Sequence, residues 1–197
     1  MLNADQFLAS KNMDEDLWQE IRHFGISATE VAGASTPAGY KKVLEGRLYG
    51  SHVEDNAYMR FGRDTEPIVA MFLKDELDIM PNDWSICHRE NRHHRATPDG
   101  LSLDHDLISE IKTTGRDFEG KVPIGYMRQM QWQMYVTDTD RCIFAWMLRV
   151  ETDEGFVPGW LEPKWMVVHR NEEHIDALKI TADKLWQEVK HAGKQNG

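Results

Sequence analysis

Residues 98–112 read PDGLSLDHDLISEIK. Pro98-Asp99-Gly100 is turn chemistry. Residues 107–113, LISEIKT, then alternate apolar and polar, the period of a half-buried strand. Glu110 and Lys112 are two apart, so on a strand they leave the same face. Ten residues separate Asp99 from Glu110, enough to turn the chain back on itself. Asp99, at the end of a strand expected over 94–97, is therefore predicted to meet Glu110 with Lys112 alongside. Two carboxylates and a backbone carbonyl make a hard oxygen site that suits Mg²⁺, with Mn²⁺ as a substitute. A cation there lowers the pKa of a bound water and neutralises charge on a phosphoryl group. A lysine beside it orients or deprotonates that water, or stabilises the pentacovalent state. The chemistry implied is phosphodiester hydrolysis. The pattern alone is weakly specific, since average composition yields about one match per ten chains of this length. A turn followed by an amphipathic surface strand accounts for the same residues without any chemistry.

The flanking sequence supplies the frame. Residues 5–24 read as a helix with Phe7, Leu8, Leu17, Trp18 and Ile21 on one face, stopped by Gly25. Ser27 and Glu30 form a capping-box pattern that opens a helix over 29–34. Residues 34–39 (ASTPAG) read as a loop, and 54–61 and 66–77 as helices broken near Gly62. Strands are expected at 84–90 and 94–97, and a helix over 124–137. Residues 141–150 (RCIFAWMLRV) are apolar on both faces, as in a central strand buried on both sides. An acidic loop follows over 151–163, then a strand over 164–169. Asn171 caps a last helix with Ile175, Leu178, Ala182, Leu185 and Val189 on one face. This order predicts an α/β (α+β) fold, a mixed central β-sheet flanked by α-helices.

The chain has 197 residues, 41% hydrophobic and 28% charged. That is ample for a buried core and is read as a single domain over 1–197, with wholesale disorder excluded. No apolar run is long enough for a membrane-spanning helix. The start, MLNADQFLASKNMDEDLW, lacks the pattern of a secretory signal. Cys87 and Cys142 lie in no C-x-x-C, which argues against a zinc ribbon or a disulfide framework and favours a reducing cytosol. The net charge of −10 excludes nucleic-acid binding through bulk positive charge, but not a local basic channel.

Other segments add candidates. Glu66, in Gly62-Arg63-Asp64-Thr65-Glu66-Pro67, is a third acid that would complete the cation shell; as a helix-start acid it would serve the macrodipole instead. In residues 126–135 (YMRQMQWQMY), Gln129 and Gln133 share a helix face and Gln131 points elsewhere. Arg22, Ser27 and Thr29 surround a glycine turn at a helix start, which suits a terminal phosphate or is simply a capping box.

Taken in order, W-x3-R-x2-GISATEV over 18–31, Glu66 in G-x3-E, PDG at 98–100, EIK at 110–112, RDF at 116–118 and YMRQMQWQMYVT at 126–137 resemble the lambda-type phage exonucleases. That is the YqaJ-like viral recombinase family of the PD-(D/E)xK nuclease fold, with a restriction-endonuclease-like core. The resemblance covers about residues 15–140. It implies a Mg²⁺-dependent 5′→3′ exonuclease on double-stranded DNA that leaves a 3′ single-stranded tail for a phage annealing protein. It also implies a homotrimer ring, and location in the bacterial host cytosol. By position, Asp99, Glu110 and the Ile111 carbonyl would be the metal ligands, Lys112 the catalytic lysine and Glu66 a support. Arg22, Thr29, Ser27 and Arg116 would hold the 5′-phosphate. Gln129 matches the family glutamine, while Gln131 with Tyr135 fits the related Q-x3-Y pattern.

A ring can carry acids outside and bases inside. Residues 88–95, HRENRHHR, hold three arginines and three histidines. Arg89, Arg92 and Arg95, with Lys41, Lys42, Arg47 and Arg60, are candidates to contact the duplex, through phosphates and without reading sequence. A solvated basic loop fits 88–95 as well. Zinc is not expected there, because the adjacency of His93 and His94 is poor ligand geometry. Two other readings remain open at this level: a restriction-type or structure-selective endonuclease, and a non-catalytic recombination scaffold.

Overall fold

The computed structural model describes residues 2–50 and 54–195. After a 3₁₀ turn at residues 4–6 the elements are β1 (Phe7–Ser10), α1 (Glu15–His23), α2 (Ala28–Gly33), α3 (Pro37–Tyr49) and α4 (Ala57–Leu77). Then come β2 (Ile79–Pro81), β3 (Trp84–Cys87), β4 (Arg95–Ala96), β5 (Gly100–Ser102) and β6 (Leu107–Thr114). The chain closes with α5 (Ile124–Thr137), β7 (Arg141–Thr152), β8 (Gly155–Pro158), β9 (Lys164–His169) and α6 (Glu172–Gln195). The main sheet runs β2-β5-β6-β7, and the far edge of β7 is shared by β9 and β8. β6 and β7 are parallel and the other pairs antiparallel. A smaller sheet has the order β1-β3-β4. This is the mixed sheet between helices that the sequence predicts.

The two-faced reading of β7 holds residue by residue. Cys142, Phe144 and Trp146 join one apolar cluster with Val31 of α2, Met130 and Trp132 of α5, and Leu178 and Leu185 of α6. Ile143, Ala145 and Met147 join the other, with Val69, Ala70 and Leu73 of α4. Burial on both faces is what a parallel pair in the middle of a layered domain requires.

Elsewhere tertiary contact overrides the local pattern. Residues 5–24 are not one helix: Phe7 pairs with Ile86 and sets its ring edge-on to Trp84 at 5.9 Å. The helix starts only after Asp14, whose carboxylate accepts from the Leu17 N–H at 2.9 Å. The expected loop over 34–39 ends early, because Thr36 caps α3 through the Gly39 N–H at 3.1 Å and Pro37 takes the first helical position. None of the α3 side chains is fully buried; Tyr40, Val43 and Leu44 are half-buried against the main core, a short and weak stripe. The break near Gly62 is absent. α4 is continuous through Gly62 and Pro67 because its apolar residues are held against the sheet, which offsets the missing proline N–H. The strand expected over 84–90 stops at Cys87, and the acidic loop over 151–163 contains β8, turned at Gly155 with φ +125°.

Cys87 and Cys142 are fully buried, and burial raises both thiol pKa values. Neither is expected to react with Ellman's reagent in the native protein, and both should react once guanidinium unfolds it. Rapid labelling of either native thiol would contradict this packing.

Candidate active site

The site forms where β5 leaves β6. Pairing between them consists of Gly100 opposite Ser109 and Leu101 opposite Ile108. Beyond Ser109 the β6 edge is open, and the Ile111 N–H donates instead to Asp99 Oδ2 at 2.6 Å. In a strand the N–H and C=O of one residue leave the same edge, so the Ile111 carbonyl opens on the side of Asp99. Asp99 is anchored by its own N–H to the Ser109 carbonyl (3.0 Å) and by the Asn82 N–H to the Asp99 carbonyl (2.9 Å). The Asn82 side-chain amide also donates to the Pro98 carbonyl at 2.8 Å. Gly100 is required by space: a Cβ there would lie 2.7 Å from Ile79 Cγ2 and closer still to Ser109 Oγ.

Glu110 points the other way from Ile111, toward α5, and is only 1% exposed. Its Oε1 accepts from Lys112 Nζ and, at 2.6 Å, from Gln129 Nε2. Its Oε2 accepts from Gln133 Nε2 at 2.7 Å. The two glutamines reach it because they are four apart on α5. Gly62 lies against Thr113 of β6, and α4 delivers Glu66 into the same cleft. Burial raises the Glu66 pKa, with Glu110 adding to the effect and Lys112 opposing it. Asp99 is raised well above the carboxylate range by burial and by Glu110. For Lys112, burial acts to lower the pKa, but Glu110 and Asp99 outweigh it and hold the ammonium protonated.

Three carboxylates thus face one ammonium. The buried Gln133 Oε1, on the lining of the cleft, has no hydrogen-bond partner. This donor set fits a hard divalent cation: the uncompensated negative charge would be neutralised, and an orphaned acceptor is available to a cation's water. Asp99, Glu110 and the Ile111 carbonyl are the groups that could hold it.

The cleft encloses about 290 Å³ and extends from these residues to Trp18, Arg22, Ser27 and Thr29. Ser27 caps α2, accepting from the Glu30 N–H at 3.4 Å while its hydroxyl donates to Glu30 Oε2 at 2.7 Å. The Arg22 guanidinium sits 4.5 Å over the Trp18 ring. The turn between α1 and α2 is clamped by Arg47, which donates to the His23 and Gly25 carbonyls at 2.7 and 2.9 Å and pairs with Glu30 at 3.3 Å. Gly25 is again a matter of room, since a Cβ would lie 2.6 Å from the His93 carbonyl and from Arg95 Nε.

Not every candidate converges. Gln131 turns to the opposite side of α5, donating to the His169 carbonyl at 2.8 Å and accepting from the Asn171 N–H at 2.7 Å. It ties α5 to the start of α6. Tyr135 bonds His94 rather than the cleft. Arg116 is exposed and does not line the cleft. Of the basic candidates Arg95 does line it, with Nη1 buried and unpartnered. Arg89 and Arg92 lie outside near Asp138 and Asp5, at 4.0 and 3.6 Å. Lys41 pairs with Glu45 at 3.7 Å, Arg60 with Asp55 at 3.6 Å, and Lys42 is exposed. Sequence reasoning missed Lys11, which also lines the cleft and carries no local signal. The i, i+4 spacing put Gln133 on the face of Gln129, and both bond Glu110.

The YqaJ-like viral recombinase domain model matches residues 17–140. Among solved structures, the alkaline exonuclease LHK-Exo from Laribacter hongkongensis is similar with a TM-score of 0.71 at 23% identity, covering 92% of this chain and 97% of that one. Its complex with dAMP gives 0.71 at 22% identity, with the same coverage. A phage-related exonuclease from Haemophilus somnus 129PT gives 0.69 at 16%, covering 91% and 100%. These likenesses are of fold. No curated protein matches the chain.

Proposed function

Because the chain belongs to the YqaJ-like viral recombinase family, we propose that it is a Mg²⁺-dependent exonuclease that degrades one strand of duplex DNA from a 5′-phosphorylated end. The observation that carries this reading is a single cleft shared by Glu66, Asp99, Glu110, Lys112, Gln129 and Gln133 with Arg22, Ser27 and Thr29. Asp99, Glu110 and the Ile111 carbonyl would hold Mg²⁺, or Mn²⁺ in its place. The bound ion supplies a water of lowered pKa and charge neutralisation at the phosphate. Lys112 Nζ, kept protonated by its carboxylate neighbours, places a positive charge beside the phosphoryl oxygens. Gln129 and Gln133 fix the Glu110 carboxylate so that it cannot rotate away, and Glu66 closes the cleft from α4. Arg22 and Thr29, with the α2 start that Ser27 caps, receive the 5′-phosphate. Arg95 meets the backbone further along.

In this reading three copies close into a ring around the duplex. The 3′ single strand passes to a single-strand annealing protein in the host cytosol.

The test is linear duplex labelled at one 5′ end, incubated with Mg²⁺ or with EDTA. The 5′-ended strand should disappear only with Mg²⁺, and covalently closed circular DNA should stay intact. Cutting of the circle would replace this reading with an endonuclease. A duplex with 5′-hydroxyl ends should be degraded about tenfold more slowly than one with 5′-phosphates, the worth of a charge-assisted hydrogen bond. Arg22→Ala should erase that difference; equal rates in the unaltered protein would remove the phosphate pocket.

A further inference from the structure

Away from the cleft, His93, His94 and Asp183 bring three ligand atoms within 4.8 Å of one another. Adjacent histidines splay apart on an extended chain, but residues 88–94 are a tight turn. His88 Nδ1 accepts from the Glu90 and Asn91 N–H groups at 3.2 and 3.1 Å. The His94 N–H donates to the Asn91 carbonyl at 2.8 Å, and the His88 N–H to the His94 carbonyl at 2.9 Å. The turn aims both imidazoles at α6. His93 Nε2 and His94 Nε2 lie 3.3 and 3.0 Å from the same oxygen, Asp183 Oδ1.

We propose that His93, His94 and Asp183 form a structural binding site for Zn²⁺ or a similar transition ion, distinct from the Mg²⁺ cleft. Ligand atoms held about 2.0–2.1 Å from a tetrahedral ion lie roughly 3.3 Å apart, which is close to both separations from Asp183 Oδ1. Two imidazoles and one carboxylate select zinc-like ions over magnesium. The back of the buried ligand is also secured: His94 Nδ1 bonds the Tyr135 hydroxyl at 3.0 Å, which leaves Nε2 directed at Asp183. The His93 ring is stacked on Trp186 at 5.6 Å and 10°, so neither imidazole needs to reorient. The ion replaces the two imidazole–carboxylate hydrogen bonds, and water completes its shell. Its effect is to pin the turn bearing Arg89 and Arg92 to α6 across 89 residues of sequence. Asp183 lies outside the span that matches the family model.

The test uses the full chain, stripped with a chelator and titrated with Co²⁺. A stoichiometric amount should produce the visible d–d absorption of a low-coordinate site. The band should persist in Asp99→Asn and vanish in both His93→Ala and Asp183→Asn, positions exposed enough to change without opening the core. Zn²⁺ at a hundredfold excess over its Kd should raise Tm by about 5–10 °C in the parent and in Asp99→Asn, but in neither of the other two variants, and Mg²⁺ should not reproduce the shift. No band in the stripped parent, a band surviving both His93→Ala and Asp183→Asn, or one lost in Asp99→Asn would each overturn the site and leave a hydrogen-bonded imidazole–carboxylate cluster. These readouts are independent of nuclease activity.

Discussion

Lys112→Ala is expected to lower nucleotide release from linear duplex by about 10²–10³-fold, the usual cost of removing one pre-placed charge from a reacting centre. The side chain lies beside Glu110 and is partly open to the cleft, so it is placed to meet substrate rather than to fill the core. The far-UV spectrum should be unchanged, since Glu110 retains Gln129 and Gln133 as donors. Duplex affinity should also survive, because Arg22 and Arg95 remain in the cleft. The variant should depend more on Mg²⁺ for stability, as its three acids then face no ammonium. Gel-based release assays and DNA-binding titrations check both halves. Undiminished release would remove Lys112 from the mechanism.

Asp99→Asn should move activity and stability in opposite directions. Activity should fall by about 10³-fold, because several kcal/mol of charge stabilisation goes with the cation. Stability should rise. The folded-state pKa of Asp99 is raised by burial and by Glu110. A carboxyl group with a raised folded pKa contributes stability below its unfolded value and loses that contribution as pH climbs through the folded one. Above the unfolded carboxylate value, without divalent ions, Asp99 therefore works against folding. The asparagine relieves that cost, and its Oδ1 can still accept from the Ile111 N–H. Tm should increase by a few degrees in EDTA, at about 2–4 °C per kcal/mol for a chain of this size. Added Mg²⁺ should raise Tm in the parent but not in the variant. A lower Tm in EDTA would mean that the cluster holds the fold together rather than serving a cation.

The legible part of the site lay in short-range periodicity. EIK on a strand and Gln129 with Gln133 on a helix have their shared faces set by spacings of two and four residues. β7 announced two buried faces through an unbroken apolar run. Where a residue's role depends on a distant partner, the local pattern misled. Gln131 resembles its neighbours in sequence, yet it serves the His169 carbonyl and the Asn171 N–H. Phe7 and Leu8 fit a helical stripe until Ile86 offers a strand partner. The start of α3 is set by Thr36 and Pro37, which lie inside a stretch of turn-forming residues, and its half-buried face of Tyr40, Val43 and Leu44 is too short to stand out by period.

By itself the sequence determined the order of the main elements, the alternation of β6, the double burial of β7 and the chemical types brought to the cleft, because those depend on residues within one or two turns of each other. The tertiary structure alone decided that β5 parts from β6 at Ser109, that α4 runs unbroken to deliver Glu66, and that two neighbouring histidines share one aspartate 89 and 90 residues away. Such meetings are set by how whole helices and strands fill space against one another, and no local period encodes them.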